Sequence, residues 1–430
     1  MSNINLPRKL FEQNRAKLSN QLKQNSVAIF HSNDEMPRNG DQFFTYRQNS
    51  DFFYLTGIDQ EKSILVMYPD NPVTKNREIL FLVKSNPLTE VWHGKKLSKA
   101  EATEISGIET IIWLEEFDQL LDEMVYYADH IYLNHYLNPR FSSDLESRDL
   151  RFAHVIKQRY PLHKIERLAP VLTELRLIKE PEEINVIRHA CSITAKAFDR
   201  VLKFVKPDVY EFEIDAEISH EFRRNAAQGH AYPPIIASGE NACILHYEKN
   251  ASICKNGEVI LLDFGAEFAN YNSDCSRSIP VNGKFTKRQK DLYNATLNVF
   301  KKTRAMMIKG TSLNLIGKQV GKLWEEEHIK LGLYSLEDVH RQDPANPMYT
   351  KYFMHGVSHY MGLDVHDVGT RFHTLEPGMI LTCEPGIYIR EEGIGIRIEN
   401  DILVTEEEPI DLMQNIPIEA DEIEERMNRG

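Results

Sequence analysis

The chain has 430 residues, 42% hydrophobic and 27% charged, an ordinary composition for a soluble globular protein with room for two or three domains. Its 51 basic residues face 64 acidic ones, a formal charge of −13, which argues against nucleic acid or an anionic membrane as the main partner. The N-terminal MSNINLPRKLFEQNRAKL lacks a signal-peptide core, and no stretch approaches the roughly 20 apolar residues of a membrane span. Five cysteines without a CxxC pair argue against a disulfide framework or a cysteine zinc site and point to a reduced, cytoplasmic protein.

Leu10, Phe11, Leu18 and Leu22 recur at helical spacing, so residues 7–23 read as an amphipathic helix. VAIFHS from Val27, ILVMYP from Ile64 and EILFLV from Glu78 read as buried strands. Between them lies the aromatic YRQNSDFFYLTG from Tyr46; after them comes TEVWHGKKLS, with Trp92 in a polar setting. Helical patterns and short strands alternate to about residue 165, α/β material without a phosphate loop. A break precedes Pro181, which sits at a first helical position with Glu182 and Glu183 in the first turn. Two domains are expected, 1–172 and 173–430, joined without a flexible linker. In the second, Thr286 and Gln289 form a capping-box pattern and residues 312–330 form a further helix. The terminal EADEIEERMNRG reads as a solvated helix or tail.

Acidic residues stand inside two apolar strand pairs of this second domain. In VILLDFGAEFANYNSDCSRSI, a symmetric hairpin with its turn between Phe268 and Ala269 would place Asp263 opposite Asp274. In LTCEPGIYI and GIGIRIEND, a turn inside REEG would place Glu384 opposite Glu399. Opposed buried carboxylates repel and cost several kcal/mol each unless a counter-charge is present. Arg397 is the clearest cation in these strands. His359, in HGVSHYMGLDVHDVG, adds an imidazole donor to the four carboxylates. An oxygen-rich set with one nitrogen suits Mn²⁺, and less selectively Co²⁺, Fe²⁺ or Zn²⁺. Five ligands exceed one tetrahedral zinc, whereas two ions about 3.5–4 Å apart use them all. Each residue alone has a plainer reading as a turn acid, a core histidine or a surface pair; together those readings require several coincidences. His355 and His359 lack the glutamate of HExxH, and GVSHY around Ser358 lacks the last glycine of a nucleophile elbow. Cys275 and Cys383 adjoin ligands, but strand alternation turns them away as packing residues.

The ordered set Asp263, Asp274, His359, Glu384, Glu399 resembles the ligand pattern of the pita-bread metallopeptidases, and within them the aminopeptidase P (Xaa-Pro aminopeptidase) family. YRQNSDFFYLTG, SGENACILHY, PVNGKFT and LEPGMILTCEPGIYI extend the resemblance over both domains. It implies an α/β (α+β) chain with a C-terminal pita-bread catalytic domain behind a smaller α/β domain. It implies two divalent metal ions, with Asp274 and Glu399 bridging them, Asp263 on one, and His359 and Glu384 on the other. A solvent nucleophile between the ions would attack the carbonyl before proline, and Glu384 would shuttle its proton to the leaving nitrogen. His246, His355 and His366 would position peptide and stabilise the oxyanion. Arg397 would hold a glutamate or contact substrate, and Tyr388 shares the Glu384 face. Asp41 and Trp92 would close the substrate end, Trp92 from a neighbouring subunit of a homo-oligomer (dimer or tetramer). A rigid ring packed against His366 and Tyr232 would select proline, whose preceding amide has no N–H. The short link between Glu384 and Glu399 departs from relatives with a longer insertion, which leaves the cleft rim and peptide length open. The expected substrates are peptides beginning Xaa-Pro. A prolidase confined to dipeptides, and a non-catalytic binding protein on the same fold, remain alternatives.

Overall fold

Residues 6–135 and 144–429 are described in the computed structural model, and their contacts divide the chain after Arg176. In the first unit, hydrophobic runs build a six-stranded mixed sheet in the order Thr110–Trp113, Glu78–Leu82, Ile64–Met67, Ser26–His31, His130–Leu133, Lys164–Arg167. Ser26–His31 is buried along its whole length, antiparallel to Ile64–Met67 and parallel to His130–Leu133. YRQNSDFFYLTG holds the helix Ser50–Thr56, whose first N–H groups are capped by the Asn49 side chain. Helix Pro87–His93 leaves Leu88, Val91 and Trp92 exposed.

The second unit, Leu177–Gly430, opens with the helix Pro181–Phe204, with Pro181 at its first turn and a Glu180/Glu183 capping box. Thr286 and Gln289 cap Lys287–Ala305 reciprocally, and Leu313–Lys330 follows. The C-terminal helix Ala420–Met427 is docked, not a solvated tail. It buries Ala420 and Ile423, and its Glu424 accepts the Phe285 N–H at 3.0 Å and the Lys284 ammonium at 2.8 Å. Among the described residues no helix is long and apolar enough to cross a membrane.

Two hairpins inside these helices carry the acids. Strand Val259–Asp263 pairs antiparallel with Ser276–Pro280, and Asp263 faces Ser276, not Asp274. The turn lies one residue later than a symmetric loop predicts: Ala269 and Asn270 both have positive φ, 49° and 65°. Two positive φ values are the signature of a tight type I′ hairpin turn, and moving it one residue moves every partner by two. The other hairpin keeps the expected register. Ile380–Cys383 with Asn400–Leu403, and Gly386–Ile389 with Ile394–Arg397, share one alignment in which Glu384 and Glu399 face each other where the ladder is interrupted. Its tip, Arg390–Glu392, is closed by Gly393 at φ 62°. The hairpins are stitched together: Glu399 N–H donates to Ser276 O at 3.0 Å, and the fully buried Arg277 donates to Glu399 O at 2.8 Å and Asn400 Oδ1 at 2.7 Å.

Helix Leu313–Lys330 contributes His328, fully buried, stacked on Trp324 at 5.0 Å and edge-on to Tyr352 at 5.5 Å. Burial pushes its pKa down to about 3. Below pH 6.5 the unfolded chain therefore binds a proton that the fold refuses, and stability drops as pH falls. Between pH 7 and pH 5 the parent protein should lose about 2 kcal/mol more stability than His328→Phe. Urea unfolding at the two pH values measures this, and equal losses would show that His328 is not the titrating group.

Candidate metal centre

The four acids reach one place from two rigid hairpins. Asp263 ends a wholly buried strand, Asp274 follows the Ala269–Asn270 turn, and Glu384 and Glu399 face each other across the gap in the second ladder. His359 lies on an irregular segment, not a helix. That segment is tied to strand Ile380–Cys383 because His359 N–H donates to Thr382 Oγ1 at 3.1 Å and Thr382 N–H returns to His359 O at 2.9 Å. Asp274, His359 and Glu399 bring ligand atoms within 4.8 Å of one another. His359 Nδ1 lies 3.1 Å from Tyr360 O and donates its hydrogen there, which turns Nε2 toward the acids. The Nε2 lone pair then faces Asp274 Oδ2 at 3.4 Å and Glu384 Oε1 at 3.9 Å.

A lone pair aimed at carboxylate oxygens requires a cation or a proton between them. Burial opposes charge on His359, yet its hydrogen bond to Asp274 and the field of Glu384 push its pKa up to about 9. Burial, less the pull of His359 and Arg397, pushes Glu384 up to about 7. Burial and the neighbouring Asp274, Glu384 and Asp263 hold Glu399 well above the usual carboxylate range. Burial also raises Asp263, against the opposing field of Arg397. Tyr232 directs its single hydroxyl hydrogen between Asp263 and Asp274. Fully ionised, four carboxylates against one guanidinium would leave positive charge short by three, a deficit that protons or bound cations meet. Once Nε2 gives up its proton, the donor set, an imidazole nitrogen oriented by a carbonyl among carboxylate oxygens, fits hard or borderline divalent ions.

Several side chains differ from the sequence expectation. Arg397 holds an aspartate rather than a glutamate: it pairs with Asp263, and also donates to Tyr388 Oη at 2.9 Å and Ser276 Oγ at 2.8 Å. Asp263 is thus engaged by a guanidinium and lies outside the tightest ligand trio, as does Glu384. Both His355 nitrogens are already used. Nδ1 donates to Gly356 O at 2.8 Å, and Nε2 accepts from Tyr388 at 2.8 Å. Burial first, then the charge of Arg397, pushes the His355 pKa down to about 3. His355 is a neutral ring fixed by Tyr388, without a free donor for an oxyanion. Tyr232 points at the acids and so orients ligands rather than standing only as a pocket wall. His246 is exposed, and so is His366, whose ring centre lies 4.3 Å from that of His359. Asp41 and Trp92 are both exposed in the first unit, where Asp41 accepts from Gln42 at 3.0 Å. Cys275 and Cys383 are fully buried, as packing residues should be.

Ser276 was not anticipated. Its hydroxyl donates to Glu399 Oε2 at 2.6 Å while accepting from Arg397, which joins the two hairpins. The signal was present: Ser276 lies two residues after Asp274, on the same strand face. Asp401, two residues after Glu399 and fully buried, accepts the Asp274 N–H at 3.1 Å.

Residues 185–406 match the model of metallopeptidase family M24, and residues 11–132 match the aminopeptidase P N-terminal domain. The chain belongs to the M24 metallopeptidase family, with the aminopeptidase P domain arrangement. It is 36% identical to the Xaa-Pro aminopeptidase of Escherichia coli (strain K12) over 98% of both chains. A structure described as an aminopeptidase P from Bacillus anthracis superposes with a TM-score of 0.91 at 37% identity, covering 98% of each chain. Zn-substituted E. coli aminopeptidase P in complex with product gives 0.88 at 33% identity, again over 98% of each chain.

The His366 segment is anchored from below. Neighbouring Asp367 pairs with Lys179 at 3.1 Å, both side chains being 1% exposed, and its N–H donates to Tyr360 O at 2.8 Å. Removing one member of such a pair strands the other charge in the interior. Lys179→Met should destabilise the protein by about 3–5 kcal/mol in urea unfolding, and adding Asp367→Leu should recover most of that. A loss below about 1 kcal/mol would show the pair to be incidental.

Proposed function

We propose that this chain is a dinuclear-metal exopeptidase, a Xaa-Pro aminopeptidase that removes the first residue from peptides with proline second. The observation that supports it most is the convergence of Asp274, His359 and Glu399 within 4.8 Å, with Asp263 and Glu384 beside them and one guanidinium to balance four acids. Full-length similarity to proteins named for that activity supports the substrate class.

Asp274, Glu399 and His359 would hold the ions, with Asp263 and Glu384 completing the set; Mn²⁺ is the first choice, ahead of Co²⁺, Fe²⁺ and Zn²⁺. When bound, the pair of ions supplies positive charge at the scissile carbonyl and an acidified water at neutral pH. Glu384 would take a proton from the attacking water. As the new C–O bond forms and the C–N bond breaks, it returns that proton to the proline nitrogen. Arg397 pairs with Asp263 and fixes Tyr388, and Tyr388 fixes His355. The exposed His246 and His366 would meet the peptide. Asp41 and Trp92 of the first domain would close the substrate end. The exposed Leu88, Val91 and Trp92 of helix Pro87–His93 support a homo-oligomer, dimer or tetramer, built through that domain. Five unpaired, buried cysteines support a cytoplasmic setting.

Chelation should abolish hydrolysis of Xaa-Pro-Yaa peptides and added Mn²⁺ should restore it, with two ions per chain by elemental analysis. Glu384→Ala should lower kcat by about 10²–10⁴-fold while the fold persists by circular dichroism. Cleavage of Xaa-Pro dipeptides alone would assign a prolidase, and full activity after chelation would remove the metal mechanism.

A further inference from the structure

Glu211 begins helix Glu211–Arg224 and is fully buried. One of its oxygens accepts the Ser238 N–H at 2.8 Å and Asn241 Nδ2 at 3.0 Å; the other accepts the Tyr247 hydroxyl at 2.8 Å and the Ser252 N–H at 2.7 Å. All four donors are neutral, and all belong to the single segment 238–252, which carries His246. The same segment is tied a second time by Asn250, which accepts the Ile236 N–H at 2.9 Å and donates to Pro234 O at 2.8 Å. Its opposite side, the turn Gly239–Cys243, rests on bare backbone: a Cβ placed on Gly395 would lie 2.1 Å from Ala242 O. Gly395 stands two residues before Arg397. His246 itself is exposed, yet near enough to His355 for a charge on one ring to be felt at the other.

A carboxylate that accepts four hydrogen bonds at normal length holds its partners with charge-assisted strength, about twice that of neutral pairs. An exposed imidazole has no such restraint of its own. We propose that Glu211 is a positioning residue for the reaction: its carboxylate locks segment 238–252 and so sets His246 in place to receive the peptide. This rests on the reading of the chain as a peptidase. Glu211 does not touch substrate or metal. It acts through His246, and the loss of its lock should cost only what His246 contributes.

A double-mutant cycle separates this from a simple role in folding. Glu211→Gln puts an amide where two of the four donors point and should lower kcat/KM by about 10- to 100-fold. In a His246→Ala background the same change should cost less than about twofold. Metal content by elemental analysis should be unchanged in every variant. Tyr247→Phe removes one donor and keeps the carboxylate; it should give a smaller loss that also vanishes in the His246→Ala background, and it serves if Glu211→Gln does not fold. Equal fold losses in both backgrounds, no loss at all, or a fall in bound metal would each overturn the proposal. Amide hydrogen exchange at Ser238 and Ser252 reads the lock without any activity. Glu211→Gln must accelerate it while strand Val259–Asp263 stays protected, and unaltered exchange overturns the proposal whatever the enzyme cleaves. Failure of the parent protein to hydrolyse Xaa-Pro-Yaa peptides would instead strike the functional reading alone.

Discussion

Four clustered carboxylates, three of them buried and Glu384 half-buried, stand around one guanidinium, and the rest of the catalytic unit is arranged around that imbalance. Among the described residues, Arg397 is the permanent cation paired with a side chain of the group, and it is held by Asp263, Tyr388 and Ser276. Like charges on one sheet face repel, and desolvation makes each of them costlier. A chain could escape by protonating the acids, and the raised pKa values of Glu384 and Glu399 show that tendency. It could also escape by moving them apart. The hairpins forbid that: Glu399 N–H is bonded to Ser276 O, and Arg277 clamps Glu399 O and Asn400 from behind. The acids are therefore held close in a geometry that only additional positive charge relaxes.

Rigidity continues beyond the acids. His359 has its ring turned by Tyr360 O and its backbone tied to Thr382, so Nε2 has one direction open. His355 has no nitrogen left, because Gly356 O and Tyr388 take both. The two histidines stand four residues apart on the same irregular segment and have opposite electrostatic fates. Burial and Arg397 keep His355 neutral, whereas Asp274 and Glu384 overcome burial at His359. Neighbouring charge, rather than residue type, separates their protonation.

Much of this was legible in the sequence. Acids inside apolar strands announced a shared counter-charge, and the REEG turn fixed Glu384 opposite Glu399 because a helical turn and one glycine close a hairpin symmetrically. The first hairpin misled, because Ala269–Asn270 carries no glycine and yet adopts positive φ at both positions. A one-residue shift there changed the partner of Asp263 from Asp274 to Ser276. Exact long-range partners were less legible: Arg397 stood out as the cation for the acids, but not which acid it takes. Nothing local in the sequence pairs Arg397 with Asp263, Lys179 with Asp367, or Glu211 with Tyr247. Those choices are made by tertiary packing, where residues far apart in the chain share one buried space.

The exposed imidazoles follow a common construction. His246 and His366 lie on irregular segments open to solvent, and each segment is fixed by a buried carboxylate beneath it. Glu211 satisfies four donors of the first segment; Asp367 meets Lys179 under the second. A surface histidine ordered only by its own contacts would lose rotamer freedom whenever a peptide arrived. Transferring the restraint to a buried anion places that ordering in the folded state, before substrate binds. The anchor can be a carboxylate because its donors are numerous, or because a lysine is buried with it. A neutral side chain in either place would hold the same loop with weaker bonds, and the ring above it would sample more positions. On this construction the catalytic unit has two tiers: an inner cluster with too little positive charge to stand alone, and an outer rim kept in register by separate buried anions that never meet the reacting atoms.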